Sequence, residues 1–340
     1  MRLGYYIARR VGLAVFVLFG VLTITFILSH SIPGDPVIAL LGKQATQHPQ
    51  LVAQMNAKYH FSDPLWLQYY YYIVNLLHGN LGYSTSRGFI PVSTVIAETL
   101  PYTVQIAFFA FVFSLGLGVF FGALAARFAH KAPDRTIRAL YLAGVSSPAF
   151  FVAIILLILF GYVFNILPTS GAVSVNVPTP ATITGIPMLD SVLELNWPYF
   201  VDAFEHVILP SLALALGAIG VVIRLLRASM LQVLQANYIR TARAKGLSEG
   251  SVFFKHALRN AVMPIVTLSS LLLYGLITGT LFVENIFSYP GIGQYVATAL
   301  LSQDYPGILA TTLVFAVIIV VANLVADILY AVVDPQVRLG

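Results

Sequence analysis

The chain has no cysteine among its 340 residues, which removes disulfides, thiolate zinc sites and thiol nucleophiles together and leaves the redox compartment unspecified. Charge is nearly as scarce. Only 9% of residues are Asp, Glu, Lys or Arg against 59% hydrophobic, and a mean hydropathy of +0.87 is that of a polytopic membrane protein and not of a soluble domain. There is no G-x-x-x-x-G-K-S/T loop, so energy for uphill transport would have to come from an ion or from a separate ATPase. The serines of the apolar runs, Ser146 and Ser147 included, have no well-placed His/Asp partner, which argues against an intramembrane hydrolase. His30, His206 and His256 share no metal-ligand spacing with another acid or histidine.

What is present is apolar length. A membrane helix needs about 20 apolar residues to cross roughly 30 Å of hydrocarbon. Six stretches qualify, 11–30, 102–126, 139–167, 207–223, 261–283 and 308–333, so the sequence predicts an all-α protein with six transmembrane helices. The first run is uncharged and followed by no small-residue cleavage site, which reads as an anchor and not as a secretory leader. The third is long enough to tilt or to break near Ser146-Ser147-Pro148. The fourth is short, but helical spacing persists through Arg224, Arg227, Met230, Leu231, Val233 and Leu234 and predicts an extension beyond the membrane. The expected organisation is a first helix over 1–30, a large extracytoplasmic region over 31–101, and a five-helix core over 102–340 with a cytoplasmic loop at 228–264.

The cations orient the spans. With the N-terminus inside, all but three of the 18 Lys and Arg fall on the inner face: Arg2, Arg9, Arg10, Arg127, Lys131, Arg135, Arg138, Arg224, Arg227, Arg240, Arg243, Lys245, Lys255, Arg259 and Arg338. Lys43, Lys58 and Arg87 lie outside. The positive-inside rule then puts both termini in the cytoplasm. It also accounts for the net charge of +5 without invoking nucleic acid.

The outer region carries turn signals at Ile32-Pro33-Gly34-Asp35-Pro36, Asp63-Pro64 and Gly79-Asn80-Leu81-Gly82. Trp66 and Tyr69 to Tyr72 read as an interfacial aromatic belt, with stacking on a sugar or peptide the rarer use. The second outer segment, 168–206, holds Asp190, Glu194, Asp202 and Glu205 and no basic residue, so it is either solvated loop charge or an acidic landing surface for an external partner. Within the spans the sequence shows one carboxylate, Asp327, with Asn323 one turn earlier on the same helix face. A buried acid is a functional candidate by default. A proton relay needs a chain of such groups, however, and the expectation here is a structural bond to a neighbouring helix.

The longest structured polar stretch is 238–264, YIRTARAKGLSEGSVFFKHALRNAVMP. Arg240, Arg243, Lys245, Lys255 and Arg259 are opposed there by Glu249 alone. Gly246 suits the left-handed position that ends a helix, Ser248 can cap the next one, and Glu249 falls favourably in its first turn. The prediction is a short basic helix, a glycine turn and a second helix, held between two spans and able to be pushed by a cytoplasmic partner.

These residues resemble those of permease subunits of binding-protein-dependent ABC importers, in the dipeptide/oligopeptide/nickel branch. The resemblance runs nearly the full length: the motif at Ile32 to Pro36, Asp63-Pro-Leu-Trp66 with Gln68-Tyr69, Gly79 to Gly82, Leu100-Pro101, Leu209-Pro210, Arg227-Ala-Ser-Met230, Tyr289-Pro-Gly-Ile-Gly293, Asp304-Tyr-Pro306 and Asp327 to Arg338. The 238–264 block is similar to the family's EAA loop and is the most specific of them.

The resemblance implies the type I importer permease fold in the inner membrane. It implies that Tyr238, Arg240, Thr241, Ala242, Arg243, Lys245 and Gly246 form a coupling helix that docks on an ATPase. ATP and Mg would be held by two cytoplasmic ATPase subunits and no cofactor by this chain. A second homologous permease would complete the pathway, and an extracytoplasmic solute-binding protein would deliver the solute.

The general motif would place glutamate at Arg240 and alanines at Thr241 and Ala242, and only Ala242 agrees. Arg240 or Arg243 is therefore expected to meet an acidic residue of the ATPase. Oligopeptide is the expected cargo, with short oligosaccharide second, and glutathione and nickel complexes also occur in the branch. The rival reading is a stand-alone ion-coupled transporter or channel, and a membrane enzyme is a distant third.

Overall fold

The computed structural model describes residues 3–31, 50 and 62–333. The motif at Ile32 to Pro36, Lys43, Lys58, Arg2 and Arg338 lie outside the described residues, and so do the side chains of Arg9, Arg10 and Asp327.

The described chain is helical apart from one small hairpin. Helix α1 (Leu3–Ser31) is followed by α2 (Leu65–Leu77), which starts where Pro64 holds an extended ψ of 142° and cannot continue a helix backward. Strands β1 (Tyr83–Ser84) and β2 (Ile90–Pro91) pair antiparallel and lead straight into α3 (Val92–Arg127). Helix α4 (Ala132–Ser146) and α5 (Ala149–Leu156) come next, the latter continuing as a π-helix over Leu157–Val163. Then come α6 (Pro187–Leu193) and α7 (Trp197–Leu234). The polar segment forms α8 (Asn237–Ala244), α9 (Glu249–Ser251), a π-turn over Val252–Leu258 and α10 (Arg259–Ala261). Helices α11 (Met263–Ile286), α12 (Ile292–Leu301) and α13 (Tyr305–Val333) complete it.

Several expected boundaries move outward. The span expected at 102–126 is part of a 36-residue helix that begins at Val92 and carries Pro101 inside it. A proline within an apolar helix is tolerated where neighbouring helices re-satisfy the freed backbone. For the same reason Pro210 does not stop α7, a single helix of 38 residues that contains the short fourth span and its expected extension. The region 31–101 is thus not only loop, since α2, the hairpin and the start of α3 fall within it. The third span breaks where expected: α4 and the Ala149–Val163 helix are bent by 112° at Ser147-Pro148. By length and composition, the described residues supply three single helices able to cross a membrane, or up to 5 crossings if each bent pair is one span.

Compactness divides the chain into two units, with divisions inside α3, between α11 and α12, and inside α13. One holds Met1–Tyr102 and Pro290–Val320. Its core joins Val92, Val95 and Ile96 of α3 to Ile292, Tyr295 and Ala299 of α12 and to Tyr305 and Ile308 of α13. The hairpin is tied down by the buried Asp304, whose carboxylate accepts from Ser84 Oγ at 2.5 Å, Ser86 Oγ at 2.8 Å and the Gly307 N–H at 3.0 Å.

The other unit, Thr103–Tyr289 with the following part of α13 from Val321, is built around α7. Within lipid there is little hydrophobic drive between helices, and close approach through small residues replaces it. Gly118 and Gly122, one turn apart on α3, make that approach: a Cβ on Gly118 would sit 2.6 Å from Val222 Cβ, and one on Gly122 3.0 Å from Leu226 Cβ. On the other side of α7, Gly220 leaves room for Tyr141 and Val145 of α4. The end of this unit that carries α8 holds one continuous apolar cluster from α3, α7, α8 and the π-turn, and α8 rests on it.

Candidate functional site

Helix α8 begins after Ala236, whose ψ of 148° leaves the helix of α7 behind, and it ends in a complete Schellman turn. The Leu247 N–H reaches the Ala242 carbonyl at 3.4 Å and the Gly246 N–H reaches Arg243 O at 2.9 Å. Gly246 sits at φ +78°, the left-handed conformation that its lack of a Cβ permits. Ser248 Oγ then accepts the Ser251 N–H at 3.3 Å and opens α9, as the capping pattern predicts.

Two residues three apart, Ile239 at 0% and Ala242 at 8% exposure, define the inward face of α8. They pack on Leu226 and Met230 of α7 and on Val252, Phe253 and Ala257 of the π-turn. Ala242 was grouped with the docking residues from the sequence; it is turned inward and holds the helix in place. Helical geometry puts Asn237, Arg240, Thr241 and Ala244 on the opposite, exposed face, with Tyr238 and Lys245 flanking them. Asn237 and Ala244 were not singled out in the sequence, although the spacing from Ile239 and Ala242 was the signal that could have found them.

The cations of this segment are not equivalent. Arg243 is turned back on its own hairpin, its Nε 2.8 Å from Glu249 Oε1 and its NH2 group 3.3 Å from Oε2. The arginine's hydrogen bond holds the Glu249 carboxyl below the usual carboxylate range. Arg240 and Lys245 are exposed and have no carboxylate partner among the described residues. Of the two arginines expected to meet an ATPase carboxylate, Arg240 is therefore the one left open for it.

A second ion pair fastens the end of α7 that leads into α8. Asp134, in the first turn of α4, is fully buried and accepts Arg227 Nε at 2.7 Å, Arg227's NH2 group at 2.8 Å and the His130 N–H at 2.8 Å. The fork of Arg227 is the main reason this carboxyl lies below its ordinary range. Sequence reasoning counted the cations around it for orientation and passed over the acid. The available signal was one Asp set among Lys131, Arg135 and Arg138.

Elsewhere the acidic candidates of 168–206 are mostly spent on folding. Asp190 is buried and accepts the Thr184 N–H at 2.7 Å and its hydroxyl at 2.5 Å. Asp202 accepts the Ser174 N–H at 2.6 Å and its hydroxyl at 2.7 Å, and Glu194 accepts the Ala181 N–H at 3.0 Å. A loop with little helix must satisfy its backbone donors with side chains, and among the described residues Glu194 and Glu205 are the exposed acids of this segment.

The tyrosine run splits in two: Tyr69 bonds Thr23 at 2.6 Å and packs edge-on against Phe26, whereas Trp66 and Tyr70 face outward. Asn323 is exposed on α13, the helix that also contains Asp327. Besides Asp327, a further acid stands at the edge of the expected spans: Glu284 is fully buried near the end of α11 and accepts the Thr103 hydroxyl at 2.7 Å. It fell one residue beyond the span drawn from hydropathy, because a carboxylate ends an apolar window even where a helix continues.

Residues 118–339 match the model of the binding-protein-dependent transport system inner membrane component, and residues 3–107 match the N-terminal model of the same membrane component. The chain is 37% identical over 335 residues to the dipeptide transport system permease protein DppB of Escherichia coli, covering 98% of each. It is also 34% identical over 333 residues to the oligopeptide transport system permease protein AppB of Bacillus subtilis, covering 98% of this chain and 99% of that one. A third relative, the di/tripeptide transport system permease protein DppB of Pseudomonas aeruginosa, is 37% identical over 335 residues, with 98% of each covered. Matches of this length, spanning the 238–264 segment and both compact units, establish that the chain belongs to the family of inner-membrane permease components of binding-protein-dependent ABC transport systems.

Proposed function

We propose that this chain is one of two homologous permease subunits that together form the membrane pathway of an ATP-driven peptide importer. Both termini and α8 face the cytoplasm across six spans in this reading, a disposition supported by the distribution of Lys and Arg. A solute-binding protein delivers short peptides on the opposite side. Peptide is favoured over oligosaccharide because the relatives named above are dipeptide and oligopeptide permeases.

The observation that carries the proposal is the construction of α8. It is a short basic helix whose inner face shares an apolar core with α7, and the π-turn below it feeds α10 and α11 almost without interruption. Two cytoplasmic ATPases binding ATP and Mg would push on Asn237, Arg240, Thr241 and Ala244. A helix clamped at both ends passes such a displacement to α7 and α11 as a rigid body instead of absorbing it. The chain itself contributes no hydrolytic chemistry; its task is to transmit force and line a path.

Against an ion-coupled carrier the weight rests on family membership, since Glu284 gives the chain a buried acid beside an apolar span. The test is reconstitution in proteoliposomes with its co-purifying subunits. Peptide uptake that requires ATP and the binding protein, and that falls at least tenfold on Arg240→Glu with the chain still folded, supports the reading. Uptake by the chain alone under an ion gradient, indifferent to Arg240, overturns it.

A further inference from the structure

An apolar groove of about 310 Å³ lies between α3 and the π-turn of the 238–264 segment. Gly116, Val119, Phe120 and Leu124 of α3 form one wall, and Phe253, Phe254 and Leu258 of the π-turn form the other. Phe120 and Phe254 are 61% and 59% exposed. Among the described residues the groove's one charged lining residue is Arg127, at the last position of α3, with its guanidinium 5.7 Å from the centre of the Phe253 ring.

We propose that this groove holds an anionic phospholipid of the leaflet on the side of α8, with an acyl chain between Phe120 and Phe254 and its phosphate on Arg127. Three observations fix the occupant. The α3 wall belongs to a helix apolar enough to span a membrane, and the other wall belongs to a bent helix pair, Glu249–Ser269 with Leu271–Ile286, that passes the same test together, so both walls suit an acyl chain. The cation stands where that helix ends, at the depth of a headgroup, and a guanidinium is suited to a bidentate phosphate. The neighbouring charge is positive overall: Lys255 and Arg259 on the same turn are exposed without carboxylate partners among the described residues. Glu249, close enough to feel Arg127, already has its carboxylate engaged by Arg243. Since Phe253 also belongs to the core under α8, a lipid seated here would bear on the coupling helix from the side. This inference stands apart from the docking role proposed for α8.

Native mass spectrometry of the full-length chain, released from nanodiscs of equal parts phosphatidylglycerol and phosphatidylcholine, reads the site directly. The wild type should retain phosphatidylglycerol in preference, and Arg127→Gln should lower that preference roughly fivefold while still retaining a lipid, the effect of one interfacial cation. Gly116→Leu should reduce retention of both lipids, because its Cβ meets nothing within 4 Å and the side chain would occupy open groove without disturbing the fold. Equal retention of the two lipids by the wild type, or an unchanged preference in Arg127→Gln, overturns the proposal. Loss of the retained lipid on assembly with the second permease also overturns it, by assigning the groove to a protein partner.

Discussion

Arg227 grips Asp134 with two parallel hydrogen bonds of 2.7 and 2.8 Å, and so fastens α4 to the segment of α7 that leads into α8. Asp134 is wholly buried, and a charge left there without its partner is far more costly than the intact pair is stabilising. Arg227→Met should lower the unfolding free energy by about 3 kcal/mol, and the double substitution Arg227→Met with Asp134→Leu should recover much of that loss. Denaturant melts of the detergent-solubilised chain followed by tryptophan fluorescence measure both. Equal destabilisation in the single and double variants would refute the account.

The same pair predicts a pH dependence. Its folded carboxyl is held below the ordinary range, chiefly by the Arg227 hydrogen bond, so the unfolded chain takes up its proton first as pH falls. The stabilisation is therefore complete above the usual carboxylate value of about 4 and is lost on acidification through the lower folded value. Between pH 7 and pH 5 the melting temperature difference between wild type and Asp134→Asn should be constant. It should shrink as the pH is taken below about 4, and a difference that grows there contradicts the assignment.

Arg243 and Glu249 allow the internal role of one cation to be separated from docking. The pair is solvent-exposed, so its effect on global stability should be small. Its orientation of the turn is another matter. Arg243→Glu, which sets two carboxylates against each other across Gly246, should reduce ATP-dependent uptake, and adding Glu249→Arg should restore it. If the swapped pair stays as impaired as the single variant, Arg243 contacts the partner itself.

How far these features could be read beforehand depended on how local their causes are. The end of α8 at Gly246, the cap at Ser248 and the break at Ser147-Pro148 are each set by a few adjacent residues, and each was legible. Pro101 and Pro210 misled because their cost depends on what surrounds the helix, which a linear pattern does not contain. Asp134 with Arg227, and Thr103 with Glu284, are pairs separated by 93 and 181 residues. Nothing at either end of such a pair announces the other. The Gly118 and Gly122 spacing was visible as small residues in an apolar run, but its partner, Val222 and Leu226 of α7, was not.

Those two glycines give a contrast on a single helix. Gly118 faces α7 with Val222 Cβ 2.6 Å from where its own Cβ would stand, whereas Gly116, half a turn away, has nothing within 4 Å. Gly118→Leu must push backbone against backbone and should cost about 3 kcal/mol or prevent folding, seen as loss of monodisperse protein in size-exclusion chromatography. Gly116→Leu should elute as the wild type does. Equal tolerance of both would mean that α3 and α7 do not meet through this face.

Asp304 supplies the last prediction, in the other compact unit. Its carboxylate gathers Ser84, Ser86 and the Gly307 N–H, and Tyr295 OH lies 3.5 Å away, so four chain positions converge on one buried acid. Asp304→Ala leaves the Gly307 N–H without its acceptor, at about 1–3 kcal/mol, and leaves the buried Ser84 hydroxyl only Ser86 Oγ at 3.2 Å. Because the hairpin from Tyr83 to Pro91 has only a two-residue ladder of its own, the loss should appear there first, as local opening ahead of global unfolding. Limited trypsin digestion after Arg87 reports that opening: cleavage should rise at least tenfold in Asp304→Ala and much less in Asp304→Asn, which keeps one acceptor oxygen. If Arg87 is cut equally fast in the wild type, the hairpin is held by something other than this carboxylate.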